Sequence, residues 1–162
     1  MRYLTVREVL FIHLWAIDFY FAYPESCKEN RGISEPELLD SAVALPAQTF
    51  GGQELYGDLF WKAAALFRSI IKNHAFVDGN KRTAVLALLV FLDLNGYRLE
   101  CSDDDAIAFA LRVASRRRHS LRRIRCWIKK RSRKHQGVYS GRRGWFLQRL
   151  LRPGLKELED NR

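Results

Sequence analysis

One uninterrupted apolar run constrains the fold of this chain more than any other feature. Residues 85–92 are all apolar, so a helix built from them is apolar on every side and must be buried. The residues just before it, 74–84, include a histidine, an aspartate, a glycine and two adjacent cations. The sequence therefore predicts a buried central helix over residues 80–94, with charged and reactive side chains at its N-terminus.

The start of this helix is predicted to bind phosphate. The first backbone N–H groups of a helix have no partner within the helix, and the helix dipole is positive there. Lys81 and Arg82 add positive charge, and Asp78 offers a carboxylate oxygen of the kind that Mg²⁺ prefers. Together these groups indicate transfer of part of a nucleoside triphosphate. Each of them alone is more typical of an ordinary solvated helix start, whereas the ordered set favours the chemical interpretation.

Capping signals predict helices before this centre. Thr5 followed by Glu8 forms a capping box that opens a helix to about residue 20. Residues 35–43 are predicted to form a short helix. Asp58 caps a longer helix to about residue 73, with apolar residues at helical spacing on one face.

Turn signals complete the predicted architecture. The Gly51-Gly52 pair indicates a small β-hairpin within residues 49–55. After the central helix, residues 97–101 are extended, Ser102 with Asp105 opens a further helix, and Ser120 opens the last one. The predicted fold class is all-α, a compact bundle around a buried central helix with one small β-hairpin.

Charge is distributed unevenly along the chain. Residues 1–115 carry 11 Lys and Arg against 15 Asp and Glu, whereas residues 116–162 carry 17 against 3. We expect a catalytic domain over residues 1–136 and a basic, partly amphipathic extension over residues 137–162. The basic stretch 116–152 is typical of contact with nucleic acid or an acidic protein, of docking on another protein or a second copy, or of a solvated helix face. The sequence leaves these alternatives open.

Neither a membrane span nor a disulfide framework is indicated. The early apolar stretch 9–23 is interrupted by His13 and Asp18, so it is typical of a core helix. The three cysteines are far apart, without the Cys-x-x-Cys spacing of a zinc site. We expect a cytoplasmic protein with reduced thiols.

The central motif resembles that of a known superfamily. The pattern His-x-Phe-x-Asp-Gly-Asn-Lys-Arg at residues 74–82 looks like the core motif of the Fic/Doc superfamily, in particular its Doc-type ("death on curing") branch of toxin–antitoxin toxins. Flanking stretches within residues 4–13, 38–42, 49–56, 70–74 and 91–97 resemble the same branch. The resemblance extends from about residue 4 to about residue 127 and implies the Fic/Doc helical fold, with the hairpin as its flap.

The resemblance also implies a role for each motif residue. His74 would be the general base that takes a proton from a target hydroxyl, and Asp78 would hold Mg²⁺. Phe76 would anchor the loop in the core. The nucleotide phosphates would be bound by the residues that follow: Gly79, Asn80, Lys81 and Arg82. Histidine titrates near neutral pH and suits proton abstraction, while phosphoryl transfer otherwise requires mainly positioning and charge neutralisation.

Departures from the broader Fic pattern bear on which group is transferred. AMP-transferring relatives usually carry Gly where this chain has Lys81, a second Arg at Val85 and Pro at Ala75. Lys at position 81 is shared with Doc-type toxins. In those toxins it accompanies a nucleotide that binds in the reversed orientation and presents its γ-phosphate. Leu45 stands where relatives often have Arg, which bears on target binding.

The resemblance therefore implies a toxin-type protein kinase. It would use Mg²⁺ and ATP or another nucleoside triphosphate to phosphorylate a hydroxyl on a cytosolic protein, with a translation elongation factor as the implied target. The alternatives are AMP or other nucleotidyl transfer, or a non-catalytic protein that binds nucleic acid or the ribosome. Residues 26–30 fall one residue short of the self-inhibitory motif of Fic enzymes, so we expect a separate antitoxin protein. The flap residues Phe50, Gly51 and Gly52 are predicted to hold the target.

Overall fold

The architecture is helical, as predicted. A computed structural model of the chain describes residues 1–17, 32–115 and 120–134. The helices among these residues are α1 (Val6–Trp15), α2 (Pro36–Ala44), α3 (Leu59–Asn73), α4 (Asn80–Leu94), α5 (Asp103–Ser115) and α6 (Leu121–Arg131), with a short 3-10 turn at Leu45–Ala47. The strands are β1 (Thr49–Phe50), β2 (Gln53–Glu54), β3 (Tyr97–Leu99) and β4 (Ser132–Lys134).

The predicted caps begin the helices. The Thr5 side chain accepts a hydrogen bond from the Glu8 N–H, and the Glu8 carboxylate accepts one from the Thr5 N–H, which completes the capping box of α1. Asp58 accepts from the Trp61 N–H at 2.8 Å and begins α3. Ser120 begins α6 in the same way. Local side-chain chemistry therefore sets these helix starts.

Helix α4 forms the centre of the bundle. Eleven of its 15 residues are buried, and it contacts α1, α3 and α5. At its C-terminal end Gly96 adopts a positive φ of 78°, a conformation that favours glycine and ends the helix. The prediction that this helix is buried on all sides is confirmed, and its N-terminus is consequently held in place by the surrounding bundle.

The predicted hairpin is confirmed, and its base is tied to the core. Strands β1 and β2 pair antiparallel, and Gly51 and Gly52 in the turn have φ values of 56° and 79°, as a type I′ turn requires. At its base Glu54 accepts a hydrogen bond from the Lys62 Nζ at 2.7 Å. Burial of Lys62 lowers its pKa, but its bonds to Glu54 and the Tyr3 hydroxyl outweigh burial and raise the pKa above the usual value.

A second strand pair was not predicted. Strand β3 pairs antiparallel with β4, which follows directly after α6, and the Glu100 N–H donates to the Arg131 carbonyl at 2.7 Å. The extended segment at residues 97–101 was expected, but its partner Ser132–Lys134 has neither the apolar alternation nor the β-branched residues typical of a strand. The pairing joins the end of α6 to the end of α4.

Some predictions lie outside the described residues. These are the end of the first helix beyond residue 17, the polar loop before residue 32, the arginine cluster at 116–118, the extension 137–162 and its amphipathic stretch 144–151. No helix in the described parts of the chain is long and apolar enough to cross a membrane.

Candidate functional site

The candidate site begins where α3 ends. His74 follows the last residue of α3 and adopts φ 52° and ψ 38°, and it is the one described non-glycine residue with a positive φ. This left-handed conformation costs an ordinary residue roughly 1–2 kcal/mol. Its side chain is exposed. Strained residues held in place by their surroundings are concentrated at functional sites, and an exposed imidazole is accessible to a target hydroxyl.

The loop after His74 is held by backbone pairing with the segment before α2. The Ser34 N–H donates to the Ala75 carbonyl at 2.8 Å, and the Val77 N–H donates to the Gly32 carbonyl at 3.1 Å. Ile33 and Phe76 form an isolated antiparallel bridge. The path of the loop from α3 to α4 is therefore restrained on its outer side.

Asn80 closes the loop from the inner side. Its side-chain Oδ1 accepts a hydrogen bond from the Phe76 N–H at 3.0 Å, and its Nδ2 donates to the Phe76 carbonyl at 2.6 Å. Asn80 is 8% exposed, so water is a poor substitute for either bond. This side chain therefore fixes the shape of the loop between α3 and α4, and its amide is already occupied by loop backbone.

His13 and Thr83, which lie outside the motif, help to hold this loop against α1 and α4. The His13 ring of α1 stacks on the Phe76 ring, with centroids 3.8 Å apart and planes 9° from parallel. Its Nδ1 lies 2.9 Å from the Thr83 Oγ1 on α4. A Cβ added to Gly79 would lie 3.3 Å from the His13 Cε1, at a φ of 77°. His13, at 1% exposed, therefore contacts the loop's aromatic anchor, its glycine and the first turns of α4.

Reasoning from the sequence did not give His13 and Thr83 a role in the site. The available signal for His13 was a histidine on the largely apolar buried face of α1, next to Ile12. Thr83 followed the motif without a distinguishing pattern. Their contact spans 70 positions in sequence, so it depends on how α1 packs against α4.

A cleft of about 220 Å³ opens at the N-terminus of α4. It is lined by Asp78, Gly79, Asn80, Lys81, Arg82, Ile107 and Leu111. The structure thus brings together all five predicted metal- and phosphate-binding residues and adds an apolar wall from α5. His74 is not among the lining residues. Neither are the hairpin residues Phe50, Gly51 and Gly52, which belong to a separate element, although Phe50 is 80% exposed.

Among the described α-helices, α4 alone has neither a side-chain cap nor an acidic residue in its first turn. Helices α1, α2 and α5 each carry acidic residues in their first turns, which offset the positive end of the dipole. Helix α4 begins at Gly79 without a side-chain cap, has no acidic residue in its first turn and carries Lys81 and Arg82 there. The carboxylate of Asp78, just before the helix, offsets part of this positive charge, and the cleft provides the space for a further anion.

Asp78 sits at the edge of the cleft on the exposed side of the loop. Its Oδ1 accepts a hydrogen bond from the Gly79 N–H at 2.6 Å, which restrains the carboxylate. Among the described residues no cluster of three or more His, Cys, Asp or Glu could hold a metal ion. A single carboxylate fits Mg²⁺ that arrives with a nucleotide, because this ion keeps several waters and takes substrate phosphate oxygens as ligands. It does not fit a metal held by protein alone.

Comparisons with known proteins identify one family and two relatives that this chain resembles. The model of the Fic/DOC family matches residues 3–92, a span that includes the loop, α4 and the hairpin. The chain is 52% identical over 67 residues to "Toxin Doc" of Mycolicibacterium smegmatis, which covers 41% of this chain and 52% of that protein. It is 28% identical over 99 residues to "Protein kinase doc" of Escherichia phage P1, which covers 61% of this chain and 72% of that protein. The chain thus spans about half the length of the mycobacterial relative.

Proposed function

The chain belongs to the Fic/DOC family, and from this premise we propose that it is a Doc-type toxin that phosphorylates a protein hydroxyl. One observation carries the proposal: an uncapped helix start, with two cations and no acid in its first turn, faces a cleft. Both relatives are Doc proteins by name, and one is named a protein kinase. The phosphate source is a nucleoside triphosphate, of which ATP is the simplest choice.

In the proposed reaction, the chain's own groups have separate tasks. The backbone N–H groups at the start of α4, with Lys81 and Arg82, bind and neutralise the phosphates. Asp78 holds Mg²⁺, which would neutralise phosphate charge when it is bound. His74 removes the proton of the target hydroxyl as that oxygen attacks the γ-phosphorus, and the nucleoside diphosphate leaves.

Two structural features support γ-phosphate transfer over AMP transfer. Lys81 lines the cleft at the position where AMP-transferring relatives carry glycine, and a side chain there obstructs close approach of phosphate to the backbone. Val85 occupies the position of their second arginine and is 2% exposed. It is part of the core, so no cation extends from this position into the cleft.

The target is proposed to be a cytosolic translation factor, with elongation factor Tu as the first to be assayed. The hairpin flap is proposed to hold an extended segment of that target, because an exposed strand can pair with it through backbone hydrogen bonds. A separate antitoxin is proposed to inhibit the enzyme. The purified chain should therefore be active alone, and activation only after removal of one of its own terminal segments would contradict a separate inhibitor.

The test is incubation of the chain with candidate proteins and ATP labelled at either the γ- or the α-phosphate. Transfer of γ label supports the kinase, transfer of α label instead supports nucleotidyl transfer, and labelling of neither supports a non-catalytic binding protein. The control is His74→Asn, because Asn tolerates the left-handed conformation better than most residues but is not a base. We expect it to retain the melting temperature and to reduce transfer by roughly 10²–10⁴.

A further inference from the structure

The C-terminal third of the chain has a long stretch without acidic residues. Residues 106–156 contain 17 Lys and Arg and no Asp or Glu. The part of this stretch in α6 and β4 is described by the structure, and it lies away from the α4 cleft, whose lining comes from α4, α5 and the loop. The proposed phosphoryl transfer does not use it.

Helix α6 separates its apolar and cationic residues onto two faces. Ile124 and Ile128 are buried, and α6 contacts α3. The opposite side carries four exposed cations: Arg122, Arg123, Lys129 and Lys130. At a rise of 1.5 Å per residue, the pair Arg122–Arg123 and the pair Lys129–Lys130 are separated by roughly 10 Å along the helix. We refer to these four residues as the α6 cationic face.

Acidic partners within the fold neutralise other cations but not this face. Arg125 pairs with Asp58 at 2.5 Å, and Arg133 of β4 lies 3.7 Å from Glu100. Among the residues that the structure describes, no ion pair joins a carboxylate to any of the four residues of the α6 cationic face. Arg122 and Arg123 also lie in the first turn, where the helix dipole disfavours positive charge. Lys129 and Lys130 lie in the last turn, where the dipole favours positive charge, so the unfavourable charge is that of Arg122 and Arg123, and an anionic partner would offset it.

The composition of the face indicates the class of partner. None of the large apolar side chains that are exposed in the described residues lies on α6, so a protein partner would have no apolar anchor. The helix could not insert its apolar side into a lipid surface, because that side contacts α3. The face therefore offers a partner only positive charge, repeated along one direction. A phosphate backbone carries negative charge repeated in the same way.

We infer that the α6 cationic face binds the phosphate backbone of nucleic acid without reading its sequence. Arginine supplies planar groups with several donors for phosphate oxygens, and lysine supplies point charge. No base-stacking side chain is needed for this mode. The site is independent of the nucleotide cleft, so it would operate whether or not the chain is a kinase.

The test measures binding of a 20-nucleotide single-stranded RNA and a 20-base-pair DNA by the full chain as salt is varied. The variant carries Arg122→Gln, Arg123→Gln, Lys129→Gln and Lys130→Gln. The matched control removes four exposed cations from other elements, by Arg7→Gln, Arg68→Gln, Arg98→Gln and Arg112→Gln. Both variants change the net charge by the same amount, so a difference between them reports position. Melting temperatures verify that both are folded.

For RNA, we expect the slope of log binding constant against log salt concentration to be less steep by about 3 in the α6 variant. The reason is that each lost phosphate contact to a single strand removes about 0.7 from the slope. We also expect its binding to weaken at least about tenfold at 0.1 M salt, with the control close to the parent. Equal losses in both variants would reduce the effect to net charge and overturn the proposal. The proposal would also be overturned if the parent bound poly-glutamate as tightly as it binds nucleic acid, or if the parent bound neither nucleic acid.

Discussion

The hydrogen bonds of Asn80 to the loop allow a quantitative prediction about the site. Its side chain makes two bonds to the backbone of Phe76, at 3.0 and 2.6 Å. Each is worth about 1 kcal/mol net, and a buried backbone group left without a partner costs about 1–3 kcal/mol. Asn80→Ala removes both bonds. The Phe76 N–H and carbonyl then either stay buried without partners or reach water because the loop opens. We therefore expect a loss of about 2–4 kcal/mol in the free energy of unfolding.

The assay combines urea unfolding, amide hydrogen exchange at Phe76 and titration with Mg-ATP. A local loss of about 2 kcal/mol should speed exchange of the Phe76 amide by about 30-fold. We also expect nucleotide affinity to fall at least about tenfold, because the N–H groups at the start of α4 would no longer be held in one arrangement.

The matched control is the asparagine at the other end of the same helix. Asn95 exchanges hydrogen bonds with the Arg2 backbone at 2.9 Å and donates to the Phe91 carbonyl at 2.8 Å, remote from the cleft. Asn95→Ala should lower stability and leave nucleotide affinity unchanged. If Asn80→Ala leaves Phe76 exchange and nucleotide affinity at the parent level, the loop does not depend on this side chain and the reasoning is wrong.

Three other expectations concern the transferred group, the flap and acid stability. Lys81→Gly should lower transfer from γ-labelled ATP and permit transfer from α-labelled ATP; phosphorylation at the parent rate would remove the proposed role of this side chain. Replacement of Gly51-Gly52 by Pro-Pro should weaken phosphorylation of protein while Mg-ATP binding is retained, since proline removes donors and its fixed negative φ does not fit this turn; an unchanged rate would exclude the flap from target binding. Burial raises the pKa of Asp58, but hydrogen bonds from Arg125 and the Trp61 N–H outweigh burial, so the folded pKa lies below the usual 3.8. Its ionised form therefore stabilises the fold above that pH and loses this effect as pH falls through the folded pKa. The stability gap between the parent and Asp58→Asn in urea should narrow below about pH 4, and a gap that stays constant would contradict the assignment.

The sequence by itself determined the parts of the fold that depend on neighbouring residues. The helix over residues 80–94 was predicted with the bounds that α4 shows, because its apolar run is a local signal. The caps at Thr5, Asp58 and Ser120 were found for the same reason. The ordered motif likewise identified five of the seven residues that line the cleft, and the other two, Ile107 and Leu111, come from α5.

Only the tertiary structure decided how distant segments meet. The stack of His13 on Phe76 and its contact with Thr83 exist because α1 packs across the start of α4. The strand Ser132–Lys134 exists because the end of α6 lies beside β3, although its own residues have low strand propensity. The Asp58–Arg125 pair likewise joins a cap to a helix 67 positions away. Such contacts depend on the packing of whole helices, and no local pattern in either partner specifies the other.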